Sequence, residues 1–363
     1  NGEGLLVQTA DTASLPLNDD RPSVAVLLCE NFSPNPQDAF RAQGIHEEIL
    51  LRLQGVSSLR SIGRTSVLQY ADNPEPVPEI ATALRVGFVG ECSVLKDPDQ
   101  SQIRVTFQLL DANGTQVWAD SYDHDLTVEN LFNIQSDIAQ QIASAVGVAL
   151  TSEEEVRIEK VPTENLEAYE AYQLGLFHQG RRDDYAESLP EALRFFQLAI
   201  QKDPDLAPAH AGMSHVFNSI ASVGLSPPKD IWPQVERWAR SGLALDSTLA
   251  EAHLQLAEAS LVRDWDWGEA ERRLKRAIRL DPNSPVAHTY YMNFLLAQAR
   301  MQEAEREFEI LAQLDPLSSA TLNSRTRFAF FARNFEDAVP LAEILEERDP
   351  TNLQASNWLG LSL

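Results

Sequence analysis

The sequence predicts a two-domain chain, α+β followed by all-α: a small mixed α/β sheet domain, then a right-handed solenoid of helical hairpins. Three observations carry this reading. Strand-like alternation and helical periodicity interleave up to residue 155, an Asp-Pro pair recurs at a near-constant interval after residue 163, and small residues stand at fixed offsets before each pair. With 363 residues, 44% of them hydrophobic and 23% charged, the chain is long enough and apolar enough for two packed cores.

Residues 1–20, NGEGLLVQTADTASLPLNDD, are polar and turn-rich and read as a flexible linker; residues 21–155 form the first domain and residues 163–363 the second. Within the first domain, strands are expected at Ser23 to Cys29, Leu59 to Ile62, Arg85 to Leu95, Gln102 to Leu110 and Gln116 to Tyr122. Helices fall between them. Phe40, Ile45, Ile49, Leu50 and Leu53 share one helical face, with Asn35 or Asp38 as the cap, and helices follow at Val77 to Leu84 and Val128 to Leu150. Asn113-Gly114 marks a hairpin, because both residues tolerate positive φ. A mixed sheet with helices packed on it satisfies this order.

The second domain is read from its register. Pro204, Pro282, Pro316 and Pro350 follow aspartates, and Ser247 stands in the same frame, giving steps of 43, 35, 34 and 34 residues. An insertion from Val223 to Asp230 accounts for the long first step. Eight and twelve residues before each proline come Phe196 and Ala192, Leu274 and Ala270, Phe308 and Ala304, then Ala342 and Ala338. Small residues there let paired helices approach closely, and each proline ends a helix because it lacks the N–H and clashes with the preceding turn. A 34-residue period is that of the tetratricopeptide repeat, so about five repeats are expected, the last incomplete, with bends near Gly180, Trp267, Arg300 and Asn334. The first helices of such hairpins line a concave groove. Helical position places His215, Asn218, Glu258, Thr289, Asn293, Asn323 and Arg327 toward it, side chains suited to the backbone of a protein or peptide partner.

The run RPSVAVLLCENFSPNPQDAFRAQGIHEEILLRLQGVSSLRSIGRTS, then GFVGECSV and FQLLDANGTQVWADSYDHDL, resembles the TolB-like amino-terminal domain found beside tetratricopeptide arrays. Leu28 and Cys29 stand where that family carries Pro and Phe, and Cys92 where it carries Gly. DWDWGEAERRLKRAIRLDPNSPVAH and NLEAYEAYQLGLFHQGR are similar to the arrays of bacterial class III adenylate cyclases, CadC-like membrane-bound winged-helix regulators and some bacterial protein kinases. The resemblance implies a sensory or regulatory module that relays to an output domain upstream of residue 1. A free-standing envelope adaptor or assembly scaffold is the alternative.

Composition narrows the remaining classes. The net charge is −25, with 24 acidic against 10 basic side chains in residues 1–160 and 30 against 19 in the rest, so neither half offers phosphates a basic footprint and direct nucleic-acid binding is excluded. Cys29 and Cys92 are the only cysteines, which excludes a disulfide framework and a cysteine zinc site. They are two buried thiols, or one bridge between neighbouring strands in an oxidising compartment. The longest apolar run, Val24 to Cys29, is strand-sized, so no membrane insertion is expected in this segment, though a span upstream is compatible with it. A bacterial protein is expected, extracytoplasmic behind such a span and cytoplasmic otherwise.

No catalytic residue, metal site or cofactor is expected. His46-Glu47 opens like HExxH, but Leu50 replaces the second ligand, so the pair reads as a solvated helix face. Ser214 in GMSHV lacks the second glycine of a nucleophile elbow and reads as a helix contact. His210, His253 and His288 recur in register, yet neighbouring helix layers stand roughly 10 Å apart, too far for one ion, so they read as packing residues. Asp97 with Asp99 and Asp123 with Asp125 read as solvated turns, with weak calcium binding as the alternative. Trp265 and Trp267, at a hairpin bend, read as core. At the end of the chain Trp358, Leu359, Leu361 and Leu363 lack a covering helix, so the protein is expected to continue or to dock a second copy there.

Overall fold

The computed structural model of the protein describes residues 19–35, 38–71, 75–97, 101–181, 184–349 and 353–362. Most of the expected linker, and the readings on Asp99, Pro350 and Leu363, lie outside the described residues. The first unit is a six-stranded sheet of β1 (Ser23–Val26), β2 (Glu30–Asn31), β3 (Arg60–Ser61), β4 (Phe88–Lys96), β5 (Gln102–Asp111) and β6 (Gln116–Asp125). Its order is β3-β1-β4-β5-β6, with β2 also paired to β4. β1 runs parallel to β3 and β4, whereas β4, β5 and β6 are antiparallel.

Alternation explains the covered face. Ile103, Val105, Phe107 and Leu109 of β5 point into the core, where they meet α1 (Ala39–Gln54) and α4 (Val128–Ala145). On the other side α2 (Arg64–Val67) and α3 (Val77–Leu84) close a smaller cluster around Ile62, Ile80 and Val89. Cys29 and Cys92 are joined by a disulfide between the segment after β1 and strand β4.

Boundaries differ from expectation for local reasons. β1 stops at Val26, and pairing with β4 resumes in the short β2. Arg85 belongs not to a strand but to the end of α3, where it adopts the left-handed conformation at φ 54°. α4 ends at Ala145, Gly147 turns the chain at φ 78°, and a capping box between Thr151 and Glu154 starts a separate helix, α5 (Ser152–Ile158). Asp38 sits at the N-cap of α1 without bonding its amides; its carboxylate pairs with Arg41 instead.

The second unit stacks five helix pairs, typical of tetratricopeptide hairpins: α6 (Leu166–Gln179) with α7 (Tyr185–Lys202), α8 (Ala207–Ser222) with α9 (Pro228–Leu245), α10 (Ala250–Ala259) with α11 (Trp267–Leu280), α12 (Pro285–Ala297) with α13 (Met301–Leu314), and α14 (Ser319–Phe331) with α15 (Phe335–Arg348), before a last helix, α16 (Leu353–Ser362). Bends fall at Gly180, Trp267, Arg300 and Asn334. The small positions do what their spacing requires. Ala192, Ala270, Ala304 and Ala338 are fully buried, and a Cβ on either Gly175 or Gly212 would fall 2.6 Å from the ring of Phe196. Ser214 donates its hydroxyl to the Val235 carbonyl across a helix contact. His210, His253 and His288 each donate Nε2–H to the carbonyl six residues earlier, Pro204, Ser247 and Pro282, fastening the inter-repeat turns.

Four expectations need correction. His46 is not on a solvated face but fully buried, because α1 turns it onto the sheet, where its Nε2–H is donated to the Val26 carbonyl. Asp123 and Asp125 lie not in a turn but in β6, where Asp123 pairs with Arg104 across the strands. Trp265 is 70% exposed, because a π-helical turn at Ser260–Asp264 and a left-handed Trp265 (φ 55°) swing its ring outward to meet Trp267 edge-on, while Trp267 packs inward against Phe294. Trp358 is not left uncovered, since its ring lies on Phe330 and its Nε1–H is donated to Asn323, although Leu361 remains 63% exposed.

The units meet along one edge of the solenoid. The inter-repeat turns present themselves in succession: Lys160 pairs with Asp246, Arg157 donates to the Leu280 carbonyl, and Asn283 donates to Val56. Further along, Gly63 N–H reaches the Leu314 carbonyl and Ser66 bonds Asp315. The same Asp-Pro register that ends each helix therefore builds a row of contacts with the sheet domain.

Candidate partner-binding site

At its first hairpin the solenoid's inner face is already filled by the protein itself. Tyr169 of α6 packs on Phe132 of α4 with ring centroids 4.7 Å apart, and its hydroxyl accepts from Gln135. Gly44 of α1 lies so close to α6 that a Cβ there would fall 2.2 Å from Gln173 Nε2, and Arg41 pairs with Glu170. The remaining inner face runs from α8 to α16.

Polar side chains from successive first helices form a ladder there. His215 on α8 meets Glu251 on α10 at 2.7 Å, Gln255 also donates to Glu251, and Asn218 donates to Gln255 at 2.8 Å. Tyr290 on α12 stands against Asn218. Beyond it, Asn323 on α14 and Arg327 donate to Gln354 of α16 at 2.7 and 3.0 Å, and the Arg327 guanidinium stands 5.5 Å from the Trp358 ring. Of the seven expected residues, His215 and Asn218 are joined through Gln255 and Glu251, while Asn323 and Arg327 share Gln354. Glu258 feels the charge of Arg327. Thr289 is half-buried one turn before Asn293, whose buried Oδ1 has no partner.

The electrostatics follow from this crowding. Burial pushes the Glu258 carboxyl up and the Arg327 guanidinium down, each opposed by the other's charge. For Glu251, burial works against ionisation, but His215 and Gln255 outweigh it and hold the carboxyl below its ordinary value. Glu251, Gln255, Tyr290, Gln354 and Trp358 were not among the expected residues. Each stands about one helical turn from a position equivalent to an expected residue, so the same spacing that singled out Glu258, Asn293 and Arg327 points to them as well.

At the border between this face and the seam, burial pushes Asp281 up to about 7, opposed by Arg157 and reinforced by Glu251. Since the unfolded carboxyl titrates near about 3.9, the folded chain holds a proton that the unfolded chain lacks between about pH 4 and 7. That contribution is full at low pH and is lost as pH rises through the folded value. Replacing Asp281 by Asn will therefore flatten part of the fall in stability over that window, measured by denaturant titration at several pH values; an unchanged slope would show the side chain to be better solvated than its surroundings imply.

Among the described residues no group of three or more His, Cys, Asp or Glu is placed to hold a metal ion, and no helix is long and apolar enough to cross a membrane. No family model matches the chain. A protein of Rhizobium meliloti named, provisionally, adenylate cyclase 3 is 32% identical over 241 residues, which are 66% of this chain; the chain spans 40% of that relative's length. Solved structures with similar stacked helices include a thermophilic tetratricopeptide protein of Thermus thermophilus, 15% identical, covering 54% of this chain and 98% of its own, with a TM-score of 0.42. Another, from Parabacteroides merdae, is 14% identical and covers 65% of this chain and 82% of its own, with a TM-score of 0.40.

Proposed function

We propose that the chain is the sensory or regulatory interaction module of a larger bacterial signalling protein. It takes an extended protein or peptide segment along the inner face and relays that event to an output domain elsewhere in the same protein. The observation that carries this reading is the ladder from His215 to Trp358, whose amides, carboxylates and guanidinium offer both donors and acceptors across successive hairpins. The likeness to a relative named as a cyclase, and the resemblance of the sheet domain to TolB-like domains, support the signalling context. The Cys29–Cys92 bridge favours an oxidising, extracytoplasmic setting.

Peptides selected on the immobilised full chain test the reading. Their affinity, measured by calorimetry, is expected to drop about tenfold or more in Arg327→Glu and in Asn293→Ala, because both remove groups at the centre of the ladder. Binders that are indifferent to both changes would place recognition elsewhere and sink the proposal.

A further inference from the structure

The sheet has two edges, and the fold treats them differently. β3 is covered by the solenoid: its Arg60 donates Nη1–H to the Gln313 carbonyl, and Gly63 N–H just beyond it reaches the Leu314 carbonyl. β6 ends the sheet on the other side, and among the described residues no strand pairs with its outer edge. It is ten residues long, and all of them are exposed except Trp118 and Tyr122, which are half-buried.

Register fixes which backbone groups face outward. Leu126 N–H donates to the Ser101 carbonyl, so every second opposed pair back along the strand exchanges bonds: His124 with Ile103, Tyr122 with Val105, Asp120 with Phe107 and Trp118 with Leu109. The N–H and C=O groups of Ala119, Ser121 and Asp123 therefore point away from β5. The Ser121 amide turns to Asp120 Oδ1 at 2.7 Å, a bond that an incoming carbonyl can replace. Edges of this length are ordinarily blunted by lysine, proline or a bulge. β6 has no Lys and no Pro, and its register shift lies at Leu109/Leu110, beside the hairpin turn.

The charge of the strand selects its occupant. Asp120, Asp123 and Asp125 stand on it with no Lys or Arg, and only Asp123 is answered by Arg104 of β5. One face carries Trp118, packed on Phe107, and Tyr122, whose hydroxyl donates to Asp137; Asp120 is exposed between the two rings. A carboxylate there disfavours an uncharged strand, which would desolvate it, and repels an acidic one. It favours a strand with a cation opposite and apolar side chains two residues away on either side. A second copy brings the same aspartates and a net charge of −25, and residues 1–18 of this chain bring Glu3 and Asp11 with no Lys or Arg. Neither complements the edge.

We propose that β6 takes up a basic extended segment of a partner protein as a further strand of the sheet, with Lys or Arg opposite Asp120 and apolar or β-branched side chains beside Trp118 and Tyr122. This docking edge belongs to the sheet domain and does not depend on what the inner face of the solenoid takes.

Calorimetry on the full chain tests this with the blocked peptide TVTKTVT, whose palindromic order serves either strand direction, with its counterpart TVTETVT, and with a Lys peptide N-methylated throughout, which keeps the charge but cannot pair. The Lys peptide is expected to bind saturably below about 1 mM and about fivefold or more tightly than the Glu peptide, and the N-methylated form not to bind. Ala119→Pro removes an N–H that points to solvent and leaves the ladder to β5 in place, so it is expected to weaken the Lys peptide about tenfold or more. Asp120→Lys is expected to reverse the preference in favour of the Glu peptide. Both positions are exposed, and native melting is checked before titration. No saturable binding of the Lys peptide up to about 1 mM, an N-methylated peptide that binds as tightly, or an Ala119→Pro chain that binds unchanged would each overturn the proposal. So would a parent chain that sediments as a dimer and becomes monomeric in Ala119→Pro, which would assign the edge to a second copy.

Discussion

Truncating Tyr169 to alanine will cost about 3–5 kcal/mol and will lower the melting of both units together, in one transition. The ring is fully buried, and it belongs to a single cluster that runs from Val24 and Val105 of the sheet through Phe132 and Ile142 of α4 to Phe196, Val216 and Val235 of the solenoid. A side chain placed there cannot be removed from one unit alone. Tyr169→Phe keeps the ring but strips the acceptor from Gln135 Nε2, in a residue whose Oε1 already lacks a partner, so about 1–3 kcal/mol is expected. Differential scanning calorimetry decides the matter: two resolved transitions in the parent chain, with only one moved by Tyr169→Ala, would mean that the units fold separately despite the shared core.

That shared core marks the limit of what the sequence could disclose. The Asp-Pro register and the alanines at Ala192, Ala270, Ala304 and Ala338 make the hairpins legible, because each signal is local to one repeat. The seam is not local. Asn283 meets Val56 across 227 residues and Ser66 meets Asp315 across 249, and nothing in the Asp-Pro turns distinguishes a capping aspartate from one that also docks a second unit. Arg60 likewise looks like an ordinary surface arginine until the fold brings it to the Gln313 carbonyl. On the helix face expected to line a groove, the repeat spacing singled out His215 but not Glu251, the carboxylate it pairs with on the next first helix. Trp265 shows the opposite failure, since a hydrophobic ring at a bend favours burial by composition and only the π-helical turn that precedes it turns it to solvent.

Breaking the bridge between Cys29 and Cys92 will destabilise the chain by about 4 kcal/mol, the loss of loop closure for a crosslink whose ends are 63 residues apart. Both cysteines are more than nine-tenths buried in the main cluster of the sheet domain, so a reductant reaches the bridge only as the domain opens. Reduction should therefore be slow in native buffer and fast near the unfolding midpoint. Cys29→Ala/Cys92→Ala removes the crosslink at constant redox state, and its denaturation midpoint should drop while the slope with denaturant rises, since the unfolded chain freed of the crosslink is less compact and exposes more surface. The enclosed loop contains α1, β3, α2 and α3, and with them Arg60 and Ser66, which hold the solenoid's turns. If the crosslink stabilises by restricting the unfolded chain alone, those seam contacts will persist in the folded double variant and hydrogen exchange at Gly63 will decrease in protection only in proportion to the global loss. A Gly63 amide that exchanges freely in a still-folded double variant would show instead that the bridge holds the seam in place directly.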